Sequence, residues 1–205
     1  MRIDPRQLAT LVGSRLCHDL VSPIGAIGNG IELLELSDDF PGLSQTPEMR
    51  LIAESLIAAQ NRLKSFRIAF GHAPADQMVP APELKKLLTG MTAQRRIQVN
   101  FVADGMFPRD RVRMVLLAMM CLEHALPKGG HVTILHSEAG WNLIAKAEQM
   151  RIETALWEWL THAETIPQHS PAPSEVQFAL LAEAAVDAGC AIRWNLTEQG
   201  ARIAF

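Results

Sequence analysis

Long apolar runs are missing from this chain. The longest, Met114 to Leu122, falls far short of the ~20 residues a helix needs to cross a bilayer. Arg2, Asp4, Arg6 and Arg15 precede any apolar stretch that could serve as the core of a secretion signal. Basic residues are not in excess either. Lys and Arg number 19 against 22 Asp and Glu, so no partner held by nucleic-acid phosphates is indicated. The nearest approach to a basic patch is Arg109, Arg111 and Arg113 around Asp110, which reads as a solvated helix start. Cysteine is scarce. Cys17, Cys121 and Cys190 stand far apart among apolar neighbours, as packed, reduced thiols do and disulfide frameworks do not. The expected location is the cytoplasm, with neither membrane nor nucleic acid as partner.

The 205 residues suffice for one or two domains with a sizeable core. Positions 4 to 36 read as one long helix with glycines and a proline in its middle. Its apolar stripe, Leu16, Leu20, Ile24, Ile27, Ile31 and Leu34, steps by 4, 4, 3, 4 and 3. Ser37 to Pro47 is rich in turn formers. Thr46 then caps a second helix, with Pro47 at its first position. The stripe of this helix is Met49, Ile52, Leu56, Ala59, Leu63, Phe66 and Phe70. A two-helix hairpin cannot bury both stripes, so two copies are expected to pair into a four-helix bundle, a homodimer.

Residues 1–71 therefore form a helical hairpin domain, and 72–81, with Pro74 and Pro80, a linker. Residues 82–205 mix elements. Helices are expected over Pro82–Met91, Pro108–Leu126, Ile152–Ala163 and Ser174–Ala188, and a strand over Ile97–Ala103. Hairpins are expected from His131–Ser137 with Trp141–Ala147, and from Ala191–Leu196 with Ala201–Phe205. Pro167, Pro171 and Pro173 mark a surface loop. The class is α+β: a helical hairpin followed by an α/β sandwich.

The informative stretch is Arg15 to Pro23. At about 100° per residue, every member of the first stripe lies about 120–180° around the helix from His18. Ser14, Ser22, Gly25, Asn29 and Glu32 lie within about 40° of it. A lone histidine is ordinarily packed or incidental, and this rotation excludes the packed version. Small neighbours leave room for another protein to approach the ring. Gly25, Gly28 and Gly30 each cost roughly 1 kcal/mol inside a helix, and Pro23 costs more, which a purely structural helix has little reason to accept. A histidine attacking phosphorus must offer one nitrogen's lone pair while the other holds the proton. Asp19 can hydrogen-bond that N–H, fixing the tautomer, and Ser22 can bind the phosphoryl group or a water.

His18, Asp19, Leu20, Ser22 and Pro23 match, position for position, the phosphoacceptor box of sensor histidine kinases, His-(Glu/Asp)-Leu-x-(Thr/Asn/Ser)-Pro. The run RLCHDLVSPIGAIGNGIELLE, Arg15 to Glu35, resembles the ChpT family of histidine phosphotransferases. The resemblance is tight over the first helix; beyond it only the order of elements agrees. It implies a dimer with a kinase-like bundle and a degenerate ATPase-like second domain. It further implies that a hybrid kinase's receiver donates the phosphoryl group and that response regulators accept it.

Kinase chemistry lacks its boxes. Aligned on Ala125-Leu126-Pro127-Lys128-Gly129-Gly130, the position of the kinases' Mg²⁺-binding asparagine is Cys121, a poor ligand for a hard cation. The nearest string to Asp-x-Gly-x-Gly, Asp187 to Ala191, lacks the second glycine, and no glycine lies between Ile152 and Ser174. Gly25-x-x-x-x-Gly30 runs into Ile31-Glu32 and is no Walker loop, and Gly28-x-Gly30 is no dinucleotide fingerprint. His72, His124, His131, His136, His162 and His169 form no metal-spaced set with the cysteines. No cofactor or metal is expected on this chain; the Mg²⁺ would sit on the partner receiver. That receiver would dock over Ser14, Arg15, Ser22, Pro23, Gly25, Ala26 and Asn29 and pass its phosphoryl group to His18 in line. Two rivals stand beside this reading: a diverged autophosphorylating kinase, and a non-catalytic dimer that only binds regulators.

Overall fold

Proline's fixed φ suits the first turn of a helix, and a threonine before it can cap the orphan amides. Thr46 does so, its Oγ1 accepting from the Met49 amide at 3.3 Å and donating to the Leu43 carbonyl at 2.8 Å. This cap starts α2 (Pro47–Ala69), which a single 3₁₀ turn, Leu43–Gln45, joins to the long α1 (Pro5–Glu35). The structure, a computed structural model, describes residues 3–73, 76–161 and 172–205. The chain divides into two compact units, Met1–His72 and Ala73–Phe205. Among the described residues no helix is long and apolar enough to cross a membrane.

In the first unit α1 packs along α2. The six-residue apolar stripe of α1 splits. Ile31 is buried and Ile24 partly so, with Cys17 buried on the same side. Leu16, Leu20, Ile27 and Leu34 stay 59%, 50%, 55% and 40% exposed. The contact with α2 is thus centred on the Cys17, Ile24 and Ile31 edge of the stripe, and the opposite edge faces away from α2. On α2, Leu63 is buried and Met49, Leu56, Phe66 and Phe70 partly so, whereas Ile52 and Ala59 are exposed; Ala58, Ser65, Ile68 and Ala69, off the stripe, are buried. Two glycines admit the close approach. A Cβ on Gly28 would lie 3.0 Å from Gln60 Nε2, and one on Gly13 would lie 2.9 Å from the Phe70 carbonyl oxygen. Pro23 sits inside α1 without ending it.

The second unit is a five-stranded sheet in the order β2-β4-β5-β7-β6 with helices on one face. β2 (Ile97–Val102) runs parallel to β4 (Gly130–Ser137), and such a pair needs a crossover, here α4 (Arg109–Ala125). β4 with β5 (Gly140–Lys146) and β6 (Arg193–Leu196) with β7 (Gly200–Ala204) are antiparallel hairpins, joined through β5 and β7. Val132, Ile134, Leu143, Ala145, Ala201 and Ile203 line the buried face. α4 is buried almost all round, from Met114 to Leu122, between that face and the helices α3 (Ala81–Thr92) and α6 (Val176–Asp187).

Three expectations change here. Residues 72–81 are not all linker: β1 (Met78–Pro80) pairs antiparallel with β3 (Met106–Pro108). Of the helix expected over Ile152–Ala163, the described residues form only α5 (Thr154–Glu158); residues 162–171, with His162, His169, Pro167 and Pro171, lie outside the described residues. Nor is the arginine group at the start of α4 a solvated one. Arg111 donates to the Ala188 carbonyl at 3.0 Å and reaches Cys190 Sγ at 3.1 Å, while burial holds Arg113 below its usual pKa against the pull of Asp187. These side chains tie the start of α4 to the end of α6.

Candidate functional site

α1 carries three faces. One packs on α2, one bears the exposed Leu16, Leu20, Ile27 and Leu34, and His18 points from the third. Its side chain is 83% exposed. His18 Nδ1 lies 3.1 Å from Asp19 Oδ1, and the other Asp19 oxygen, Oδ2, accepts from Arg15 Nε at 2.7 Å. The three side chains form one line on the outside of the helix. The hydrogen bond from His18, and after it the bond and charge of Arg15, hold the Asp19 carboxyl below its ordinary pKa against some desolvation. An ionised carboxylate is only an acceptor, so it selects the Nδ1–H tautomer and leaves the lone pair on Nε2.

Ser22, Ala26 and Asn29 are exposed, and Gly25 has open space where a side chain would stand. Ser14 is partly buried; a Cβ on Gly71, at the end of α2, would lie 3.1 Å from its Oγ. Pro23 is exposed but not on this face. Five residues on from His18 it lies about 140° around the helix, beside the exposed leucines. The glycines divide as well: Gly25 borders His18, Gly28 faces α2, and Gly30 lies on the leucine side. Arg15, read from the sequence only as docking surface, is also the partner of Asp19. Their spacing of four on a helix was the available signal.

In the second unit, Cys121 is fully buried, and burial pushes its thiol well above the usual pKa. The string from Asp187 to Ala191, nearest to an adenine-contacting box, provides the carbonyl and sulfur that receive Arg111.

Comparison with known proteins bears on the whole chain. Residues 81–200 match the family model of the histidine phosphotransferase C-terminal domain. The protein phosphotransferase ChpT of Brucella abortus (strain 2308) is 31% identical over 177 residues, covering 81% of each chain. The chain belongs to the ChpT-type histidine phosphotransferases. It is thus a phosphotransferase of a phosphorelay. A solved bacterial phosphotransferase superposes with a TM-score of 0.66 at 23% identity, covering 99% of this chain and 97% of that one. The likeness extends over both the helical hairpin and the α/β unit, and shows the fold of each. The family model covers the second unit, and His18 lies outside it.

Proposed function

We propose that His18 is the residue through which this phosphotransferase carries its phosphoryl group between receiver-domain aspartates. The observation that carries the reading is the exposed imidazole whose Nδ1 meets the Asp19 carboxylate, leaving Nε2 for attack. A phosphorylated receiver, bearing its own Mg²⁺, docks over Arg15, Ser22, Gly25, Ala26 and Asn29. The Nε2 lone pair forms the bond to phosphorus as the bond from phosphorus to the aspartyl oxygen breaks, and the receiver's carboxylate leaves. Asp19 keeps the Nδ1 proton and offsets the positive charge the ring gains. Ser22 hydrogen-bonds the transferred group. A second receiver reverses the step. The donor is the receiver of a hybrid kinase and the acceptors are response regulators, in the cytoplasm. The transfer needs no ATP and no cofactor held by this chain.

The working unit is a homodimer. Leu16, Leu20, Ile27 and Leu34 of α1 and Ile52 of α2 supply its apolar face, and each such side chain, about half exposed in the single chain, stands to gain about half of the 1.5–3 kcal/mol that full burial is worth.

The experiment is transfer of label from phosphorylated receivers to the wild type and to His18→Ala. The wild type gains alkali-stable, acid-labile label and the variant none, while both sediment as dimers. Equal labelling of the variant overturns the proposal. Labelled ATP alone should leave both unlabelled.

A further inference from the structure

His124 lies in the last turn of α4, Glu153 immediately precedes α5, and Glu175 ends the 3₁₀ turn Pro173–Glu175 that leads into α6. One ligand atom from each lies within 4.8 Å of the other two. All three side chains are held by further contacts. The His124 ring is only 12% exposed and stands edge-on to the fully buried Phe178, centroids 5.8 Å apart. Glu175 Oε2 accepts from the Ala172 amide at 2.8 Å. Glu153 Oε2 lies 2.8 Å from His124 Nε2, and its second oxygen faces Arg151 Nε at 3.9 Å. Two carboxylates thus converge on one imidazole nitrogen at a partly buried spot. Like charges so placed repel unless a cation lies between them.

We propose that His124, Glu153 and Glu175 form a binding site for a divalent transition-metal ion of the zinc type. One imidazole nitrogen with two carboxylate oxygens is a ligand set Zn²⁺ accepts at about 2.0–2.2 Å, and three protein ligands leave a fourth position open to solvent. The nitrogen ligand disfavours Mg²⁺ and Ca²⁺, which take oxygen. Binding exchanges the bond between His124 and Glu153 for two bonds to the metal, and any proton on Nε2 is released. The ion joins α4 to the chain on both sides of residues 162–171, and so stabilises the second unit by mass action. The proposal stands against the expectation that this chain holds no metal. The sequence hides the site because His124 and Glu153 are 29 residues apart, far from the short spacings that mark metal motifs.

The test uses the full, untagged chain. Zn²⁺ titrated calorimetrically should bind one per chain and raise the unfolding midpoint. His124→Ala and Glu175→Gln should each weaken binding by more than the roughly tenfold that a change outside the ligand shell costs. Glu175→Gln keeps an acceptor for the Ala172 amide, so a loss there is not a folding failure. Co²⁺ in place of Zn²⁺ should give visible bands without a sulfur-to-metal charge-transfer band, separating this site from the three thiols. No stoichiometric binding, binding unchanged in both variants, or a thiolate spectrum overturns the proposal.

Discussion

Nδ1 of His18 lies 3.1 Å from Oδ1 of Asp19, its neighbour in the chain, while Arg15 grips the other oxygen of the same carboxylate from one turn earlier. Consecutive helical side chains diverge by about 100°. The contact therefore depends on the carboxylate being turned toward the ring and kept there.

Removing that charge should slow transfer without removing the acceptor. Asp19→Asn keeps the shape but can offer the ring an N–H instead of an acceptor, favouring the wrong tautomer. The expected loss is on the order of 10²-fold in the rate of labelling by a phosphorylated receiver. An unchanged rate would remove Asp19 from the mechanism.

The titration of Asp19 should be displaced to acid. An NMR titration should place its midpoint below the ordinary value of about 3.9, and both His18→Ala, which removes the largest single cause, and Arg15→Gln should raise it. For a depressed carboxyl, the stabilisation is present above the unfolded value and is lost as pH falls through the folded one. The stability difference between wild type and Asp19→Asn should thus be flat near neutrality and shrink only in strong acid.

Much of this site was legible because it lies on one helix. Rotation alone separates His18 from the stripe, and Thr46-Pro47 announces the start of α2. Distant partners were not legible. Arg111 looks solvated beside Asp110, yet its acceptors, the Ala188 carbonyl and Cys190, lie 77 and 79 residues away. β1 and β3 are three residues each with Pro80 and Pro108 at their ends, and only their mutual pairing makes strands of them. The width of the first stripe was legible, but not that Ile24 and Ile31 would turn to α2 while Leu20 and Ile27 stayed outside.

Alanine at two glycines of α1 should act in opposite directions. Gly25 has open space around it, so Gly25→Ala should stabilise by about 0.5–1 kcal/mol in thermal unfolding and yet slow transfer by crowding the docking receiver. Gly13→Ala puts a methyl 2.9 Å from the Phe70 carbonyl and should destabilise the hairpin by about 1–3 kcal/mol. A gain in both stability and rate for Gly25→Ala would show that no partner approaches there.

Charge on the exposed leucine face should separate the protomers. Leu20→Asp and Ile27→Asp alter side chains 50% and 55% exposed in the single chain, so neither should unfold the hairpin. Sedimentation velocity should show monomers for both and a dimer for the wild type. A persistent dimer would place the association elsewhere.

α1 runs unbroken through Pro23 from Pro5 to Glu35, so angular phase is conserved from one end to the other. Deleting or inserting one residue between His18 and Ile24 would rotate the imidazole by about 100° relative to everything after it. The ring would then swing into the seam with α2 or toward the leucines. Exchange of side chains around His18 leaves this phase intact, whereas a change of length in the segment should, on the proposed mechanism, abolish labelling by a phosphorylated receiver.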